Sequence, residues 1–167
     1  MNDWILNLIS RYRRHGVLID TNVLLLYFVG SFDRGQITRF KGTSDRFVPE
    51  DYDTLCAFVR QFQRQVTTPN ILSEVNSLSG QLGEPERTSY FERFARGITL
   101  FDEHYVASRE VAGATEFVKV GLTDAGIFHL AKARFLVLTD DFRLSQCLQS
   151  ADIDAINFNH IRPLRWE

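Results

Sequence analysis

Apolar residues in this chain switch between helical spacing and short unbroken runs, and the switches mark out its elements. Trp4, Ile5, Leu8, Ile9 and Tyr12 fall three and four apart and predict an N-terminal helix packing onto the core, with Arg11, Arg13 and Arg14 at its end. Val17-Leu18-Ile19 is a short run rich in β-branched residues, the pattern of a strand buried on both faces, and it stops at Asp20-Thr21-Asn22. Thr21 and Asn22 are good caps for a helix beginning near Val23. Residues 30–49, with Gly35, Gly42, Thr43 and Ser44, lose the periodicity and predict a loop or a weakly ordered insertion. Leu55, Phe58, Val59 and Phe62 restore it and predict a helix over 51–66, followed by a very short strand at Val66-Thr67-Thr68.

Thr68-Pro69 is a helix start, threonine as cap and proline in the first turn. Ile71, Leu72, Val75, Leu78 and Leu82 form that helix's apolar side, and Glu74 falls at its border, where a carboxylate needs a partner. The stretch 80–85 breaks the pattern; Tyr90, Phe91 and Phe94 define a helix over 86–96. Residues 98–101 fit either state, and 102–112 are expected to be helical. Leu122-Thr123-Asp124 opens a helix through Ile127, Leu130, Ala131 and Ala133, with Thr123 as cap and Asp124 in its first turn. Phe135-Leu136-Val137-Leu138 is a second buried strand, ended by Thr139-Asp140-Asp141, with a helix over 143–149 and a strand over 155–158 to follow. Helices alternating with buried strands predict an α/β sandwich around a mostly parallel sheet. There is no internal repeat or low-complexity tract.

Length and composition narrow this picture. At 167 residues, 44% hydrophobic and 24% charged, the chain fits one globular domain over 1–167, in which 1–15 are a helical extension. The longest strictly apolar run, residues 23–29, is too short to span a bilayer. The N-terminus lacks the basic-then-apolar order of a signal peptide, so a cytoplasmic location and no membrane partner are expected. Cys56 and Cys147 are isolated and read as thiols without a zinc or redox role. The net charge of −2 argues against indiscriminate coating of nucleic acid. Yet Lys41, Lys119 and Lys132 are the only lysines; the other basic residues are arginine, whose planar fork suits phosphate. Genome composition explains that bias equally well. The arginine clusters at 11–15, 34–46 and 87–96 are placed to rim an acidic centre.

Each acid has a local explanation. Asp124 and the Asp140-Asp141 pair suit helix N-termini, Asp20 suits a turn, and Glu74 suits an ion pair with an arginine. Their arrangement changes the weighting. Asp20 and Asp140-Asp141 follow sheet strands, at the edge where open parallel sheets bind ligands; Asp124 opens the helix leading into the second strand, and Glu74 lies on a helix flank. Carboxylates meeting there would repel unless cations neutralised them, and oxygen-only ligands select Mg²⁺ or Mn²⁺ rather than zinc.

The ordered set resembles the PIN-domain nucleases, a family that includes the toxins of bacterial toxin–antitoxin pairs. Its opening strand, aspartate and Thr-Asn are matched by Ile19-Asp20-Thr21-Asn22, and its helical glutamate by Ser73-Glu74-Val75. Its third and fourth acids are matched by Leu122-Thr123-Asp124-Ala125 and Thr139-Asp140-Asp141-Phe142, where Asp141 fits the fourth position better and Asp140 competes closely. The resemblance runs from Val17 to about Phe158. It implies a PIN-like α/β/α sandwich and cleavage of single-stranded RNA. It further implies one or two Mg²⁺ or Mn²⁺ ions held by Asp20, Asp124 and the Asp140-Asp141 pair, with Glu74 binding directly or through water. Thr21, Asn22, Ser73 and Thr139 would orient those ligands. An antitoxin protein and a second copy of the chain are the further partners it implies. The N-terminal helix and residues 30–49 depart from compact toxin-like members, so the toxin role stays open.

Three other classes compete. A haloacid-dehalogenase-like phosphatase needs a second aspartate two residues after the first, where this chain has Asn22. A response-regulator receiver has its paired acids early, whereas Asp140-Asp141 come late. A non-catalytic PIN-like RNA- or protein-binding module should lack at least one metal carboxylate, and all four positions are filled here. His129 lies five residues after Asp124, about 140° round the helix, and reads as structural.

Overall fold

The computed structural model describes residues 3–164. Five strands form one sheet: β1 (Val17–Ile19), β2 (Gln65–Thr67), β3 (Asp102–Glu103), β4 (Leu136–Thr139) and β5 (Ala155–Asn157). Their spatial order is β3-β2-β1-β4-β5, and every neighbouring pair is parallel. The expected α/β sandwich is therefore present, with a sheet that is parallel throughout. Val17, Leu18 and Ile19 are completely buried, as are Leu136, Val137 and Leu138 beside them, which is why neither strand shows polar alternation. Each such leucine or isoleucine contributes about 2 kcal/mol of burial.

The chain order has a consequence for function. From β1 the chain adds β2 and then β3 on one side; it then returns to β1's other side for β4 and β5. The β1–β4 boundary is thus the point where the strand order reverses. Parallel strands diverge into oppositely directed connections there, leaving a crevice at their C-terminal ends.

Helices cover the sheet. After α1 (Asp3–Tyr12), Gly16 adopts φ +119 and packs so tightly that a Cβ would lie 2.9 Å from the Arg64 carbonyl, so only glycine makes this entry to β1. α2 (Thr21–Phe32) is buried nearly all round, through Val23, Leu24, Leu25, Leu26, Phe28 and Val29. It packs against α5 (Pro49–Val59), α6 (Pro69–Ser79) and α7 (Glu86–Ile98). α9 (Phe117–Ala131) and α10 (Phe142–Ser150) pack against β4.

Several boundaries differ from the sequence expectation. The segment 30–49 is neither loop nor loose insertion. α2 continues to Phe32, and two short helices, α3 (Gln36–Arg39) and α4 (Lys41–Ser44), follow. Ile37, Phe40 and Phe47 anchor it in the core, and the buried Thr43 hydroxyl donates to the Ile37 carbonyl at 2.8 Å. Three apolar anchors without a repeat hold it by tertiary contact, which periodicity does not register. Residues 102–112 divide into edge strand β3 and the short helix α8 (Ser108–Ala112), because Asp102 and Glu103 pair with Val66 and Thr67. α5 stops at Val59, and Trp4 on α1 is exposed.

Candidate active site

Asp20 follows β1 directly and is itself the N-cap of α2, a role the sequence pattern gave to Thr21 and Asn22. Its extended backbone lets Oδ1 accept the Thr21 N–H at 2.6 Å. Its Oδ2 accepts the hydroxyl of Thr139, the last residue of β4, also at 2.6 Å. The Asp20 N–H donates to the Leu138 carbonyl at 2.9 Å, so the residue is stitched across the β1–β4 boundary. Only 5% of Asp20 is exposed. Burial raises its carboxyl to about 6; the bonds from Thr139 and Thr21 oppose the rise, and the charges of Asp140 and Glu74 add to it.

Glu74 sits on the exposed flank of α6 and bridges two other helices. Its Oε2 accepts the Thr21 hydroxyl at 2.8 Å, and its Oε1 accepts the Thr123 hydroxyl at 2.5 Å. Thr123 is therefore not the cap of its helix. α9 bends at Gly121 (φ 81, ψ −176), helical geometry resumes at Leu122, and the Thr123 side chain points to Glu74 instead. Asp124, the next residue, is partly buried, and its carboxylate has no hydrogen-bond partner among the described residues. Burial first, and then the charges of Asp20, Glu74 and Asp141, push its carboxyl up to about 7.

Asp140 and Asp141 occupy different positions after β4. Asp141 caps α10: Oδ1 accepts the Leu144 N–H at 3.0 Å, while its own N–H donates to Thr139 Oγ1 at 3.0 Å. The Thr139 hydroxyl thus links the Asp20 carboxylate to the Asp141 backbone. Asp140 Oδ2 pairs with Arg46 Nη1 at 3.1 Å, its carbonyl accepts from Asn159 Nδ2 at 3.2 Å, and its buried Oδ1 has no partner among the described residues. The competition between the two acids is thereby refined: Asp141 acts on Asp124, and Asp140 acts on Asp20.

Asp20, Glu74, Asp124 and Asp141 lie near enough for their charges to act on one another, and two of the four expected supporting residues, Thr21 and Thr139, bond to these acids. Asn22 is half-buried on the first turn of α2 and Ser73 is exposed on α6; neither donates to these carboxylates among the described residues. Thr123 is the participant that pattern reading placed elsewhere, as a helix cap, whereas Arg46 falls within the 34–46 cluster read as a rim. A signal for Thr123 was present, since threonine adjoins Asp20, Asp124 and Asp140 in the chain. The arginine rims are only partly realised: Arg11, Arg34, Arg39 and Arg87 pair with Asp154, Asp53, Asp33 and Glu84, all away from this site. His129 is exposed.

The donors that meet here are carboxylate oxygens, a hard set that suits Mg²⁺ or Mn²⁺. The buried, unpartnered Asp140 Oδ1 and the crowded, unpartnered Asp124 are the atoms a cation would satisfy. Among the described residues, no group of three or more His, Cys, Asp or Glu side chains is placed so that it could hold a metal ion; the acids stand as neighbouring charges. No family model, curated protein or solved structure matches this chain.

Proposed function

We propose that this chain is an Mg²⁺- or Mn²⁺-dependent endoribonuclease of the PIN-domain type, hydrolysing phosphodiester bonds of single-stranded RNA in the cytoplasm. One observation carries this reading: Asp20, Glu74, Asp124 and Asp141, from four separate elements, gather where the strand order of a parallel sheet reverses. Mutual repulsion makes that gathering costly, as expected of a site built for a cation rather than for stability. Asp20, Asp124 and Asp141 would hold the ion or ions, with Asp140 Oδ1 as a further donor and Glu74 at the rim. Bound there, the metal would lower the pKa of an attacking water and offset charge on the phosphate.

The protein's own contribution is positioning. Thr139 and the Thr21 N–H hold Asp20 in one orientation, and Thr21 and Thr123 together hold Glu74. Asp124, without a hydrogen bond to break, is the carboxylate that can turn toward a ligand. Arg46, 53% exposed at its side chain, keeps Asp140 neutralised from the outer side.

The test is cleavage of a single-stranded RNA with Mn²⁺ or Mg²⁺, abolished by chelation. Asp20→Asn and Asp124→Asn should each lower the rate by about two orders of magnitude or more. Undiminished cleavage by either variant overturns the assignment. A non-catalytic PIN-like module is the second reading, favoured by Glu74 accepting at both carboxylate oxygens and Asp141 accepting at Oδ1 without a cation. Calorimetric titration with Mn²⁺ separates the two, since the module should show no site lost on Asp124→Asn. A toxin role, with an antitoxin or a second copy as partner, is tested by inducing the chain in cells and sequencing the ends of cut RNAs.

A further inference from the structure

A cleft of about 420 Å³ lies between the first limb of α9 and the outer face of α10. Glu116, Lys119 and Val120 line it from one side, Arg143, Gln146 and Cys147 from the other, and Phe128 is also in its wall. It begins where the acidic site ends. Arg143 stands two residues beyond Asp141, and Val120 three before Thr123, the hydroxyl that holds Glu74. From Arg143 to Ser150 the α10 face extends about 10 Å away from the acids.

Two features indicate what it receives. The side chains of Lys119 and Arg143, both exposed, have no carboxylate or hydrogen-bond partner among the described residues. Against the single carboxylate of Glu116 in the same lining, these two unpaired cations leave the cleft net positive, which fits an anionic occupant. At the acid-site end, Phe142 presents its ring to solvent, 60% exposed, four residues before Gln146 on the same helical row. A solvent-facing aromatic next to Arg143, at the mouth of a cleft that also presents Lys119, is the arrangement that stacks bases and tracks a phosphate backbone.

We propose that this cleft holds the single-stranded RNA flanking the cleavage point, with a base stacked on Phe142 and phosphates on Arg143 and Lys119. The inference rests on the nuclease reading for the identity of its occupant. It goes beyond that reading in assigning residues outside the acidic cluster and one direction of exit for the strand.

Cysteine reactivity supplies a direct readout, because Cys147 lines the cleft while Cys56 lies on α5; both are free and half-buried. Full-length Asp124→Asn protein is mixed with a fluorescent single-stranded oligoribonucleotide and alkylated with iodoacetamide. RNA should slow modification of Cys147 severalfold and leave Cys56 unchanged; equal slowing or none overturns the proposal. In anisotropy titrations of the same protein, Lys119→Ala and Arg143→Ala should each weaken binding about fivefold and reduce the salt slope by about one. Phe142→Ala should weaken binding about tenfold, with its salt slope unchanged. If these three surface variants, shown folded by their melts, bind RNA like their parent, the cleft is not the path. Wild-type cleavage with Mn²⁺ is followed in parallel. Cleavage without Cys147 protection rejects the cleft alone, and Cys147 protection without cleavage rejects the nuclease reading alone.

Discussion

Asp124 is the residue on which the energetics of the site turn. Its carboxylate is partly buried, has no hydrogen bond among the described residues, and faces the charges of Asp20, Glu74 and Asp141. Asp124→Asn should therefore stabilise the metal-free protein at pH 8 by about 1–2 kcal/mol, seen as a raised thermal midpoint. Asp20→Asn should gain less, because Asp20 also accepts from the Thr21 N–H and the Thr139 hydroxyl, and an amide cannot accept at both atoms. Added Mg²⁺ or Mn²⁺ should stabilise the wild type and leave Asp124→Asn nearly unmoved. The same two acids set a pH dependence. Both carboxyls titrate higher when folded, about 6 and about 7, than their unfolded value near 3.9. Between those limits the folded state holds more protons, so rising pH removes stability from about pH 4 up to about 7, and none beyond. Buried Asp20 accounts for about 3 kcal/mol of that loss, and Asp124, discounted for its partial exposure, for about 1–2 kcal/mol more. Chemical denaturation of the metal-free wild type against Asp124→Asn across pH 5–8 should show the gap between them widening as pH rises.

At the scale of elements, the bend in α9 is what presents Thr123 and Asp124 to the site. Gly121 occupies φ 81, ψ −176, a conformation essentially confined to glycine, with open space where a Cβ would go. Gly121→Ala meets no clash and still costs about 1–3 kcal/mol from the backbone alone. If the helix straightens to escape that strain, Asp124 moves off the carboxylate cluster. RNA cleavage should then fall by more than the loss of stability predicts, in assays run well below the melting temperature. α6 offers a contrasting case. Thr68 caps it through the Ile71 N–H at 3.2 Å, and Thr68→Ala should cost about 1 kcal/mol in denaturant unfolding. That cap was legible because Thr-Pro before an apolar stripe is a local signal. The break at Gly121 was legible as well, since the sequence reads a helix opening at Leu122; the helical limb over 117–120 before it was not.

Across the whole molecule, the C-terminal segment is locked to the helical layer by one ion pair. Arg162 grips Asp51 through both carboxylate oxygens, at 2.8 and 2.7 Å, and the Asp51 side chain is only 6% exposed. Asp51 also accepts the Val48 N–H at the start of α5. Removing the guanidinium leaves a buried anion with one donor, so Arg162→Ala should lower the denaturant midpoint by the equivalent of about 2–3 kcal/mol. Asp51 and Arg162 lie 111 residues apart, and no periodicity relates them.

What the sequence determined by itself is whatever depends on neighbours within a turn or a strand. Buried strands β1 and β4, the caps at Thr68 and Asp141, the α/β alternation and the acids at the ends of those strands all express local burial and local hydrogen bonding. Tertiary structure decided what depends on partners distant in the chain. It set the all-parallel order β3-β2-β1-β4-β5, which places Asp20 beside Thr139 across 119 residues, and the meeting of Thr123 with Glu74. It also folded residues 30–49 onto the core and brought Arg46 to Asp140. Helical and strand periods record which face of an element is buried, but not which other element buries it, so these pairings emerge only when the sheet closes.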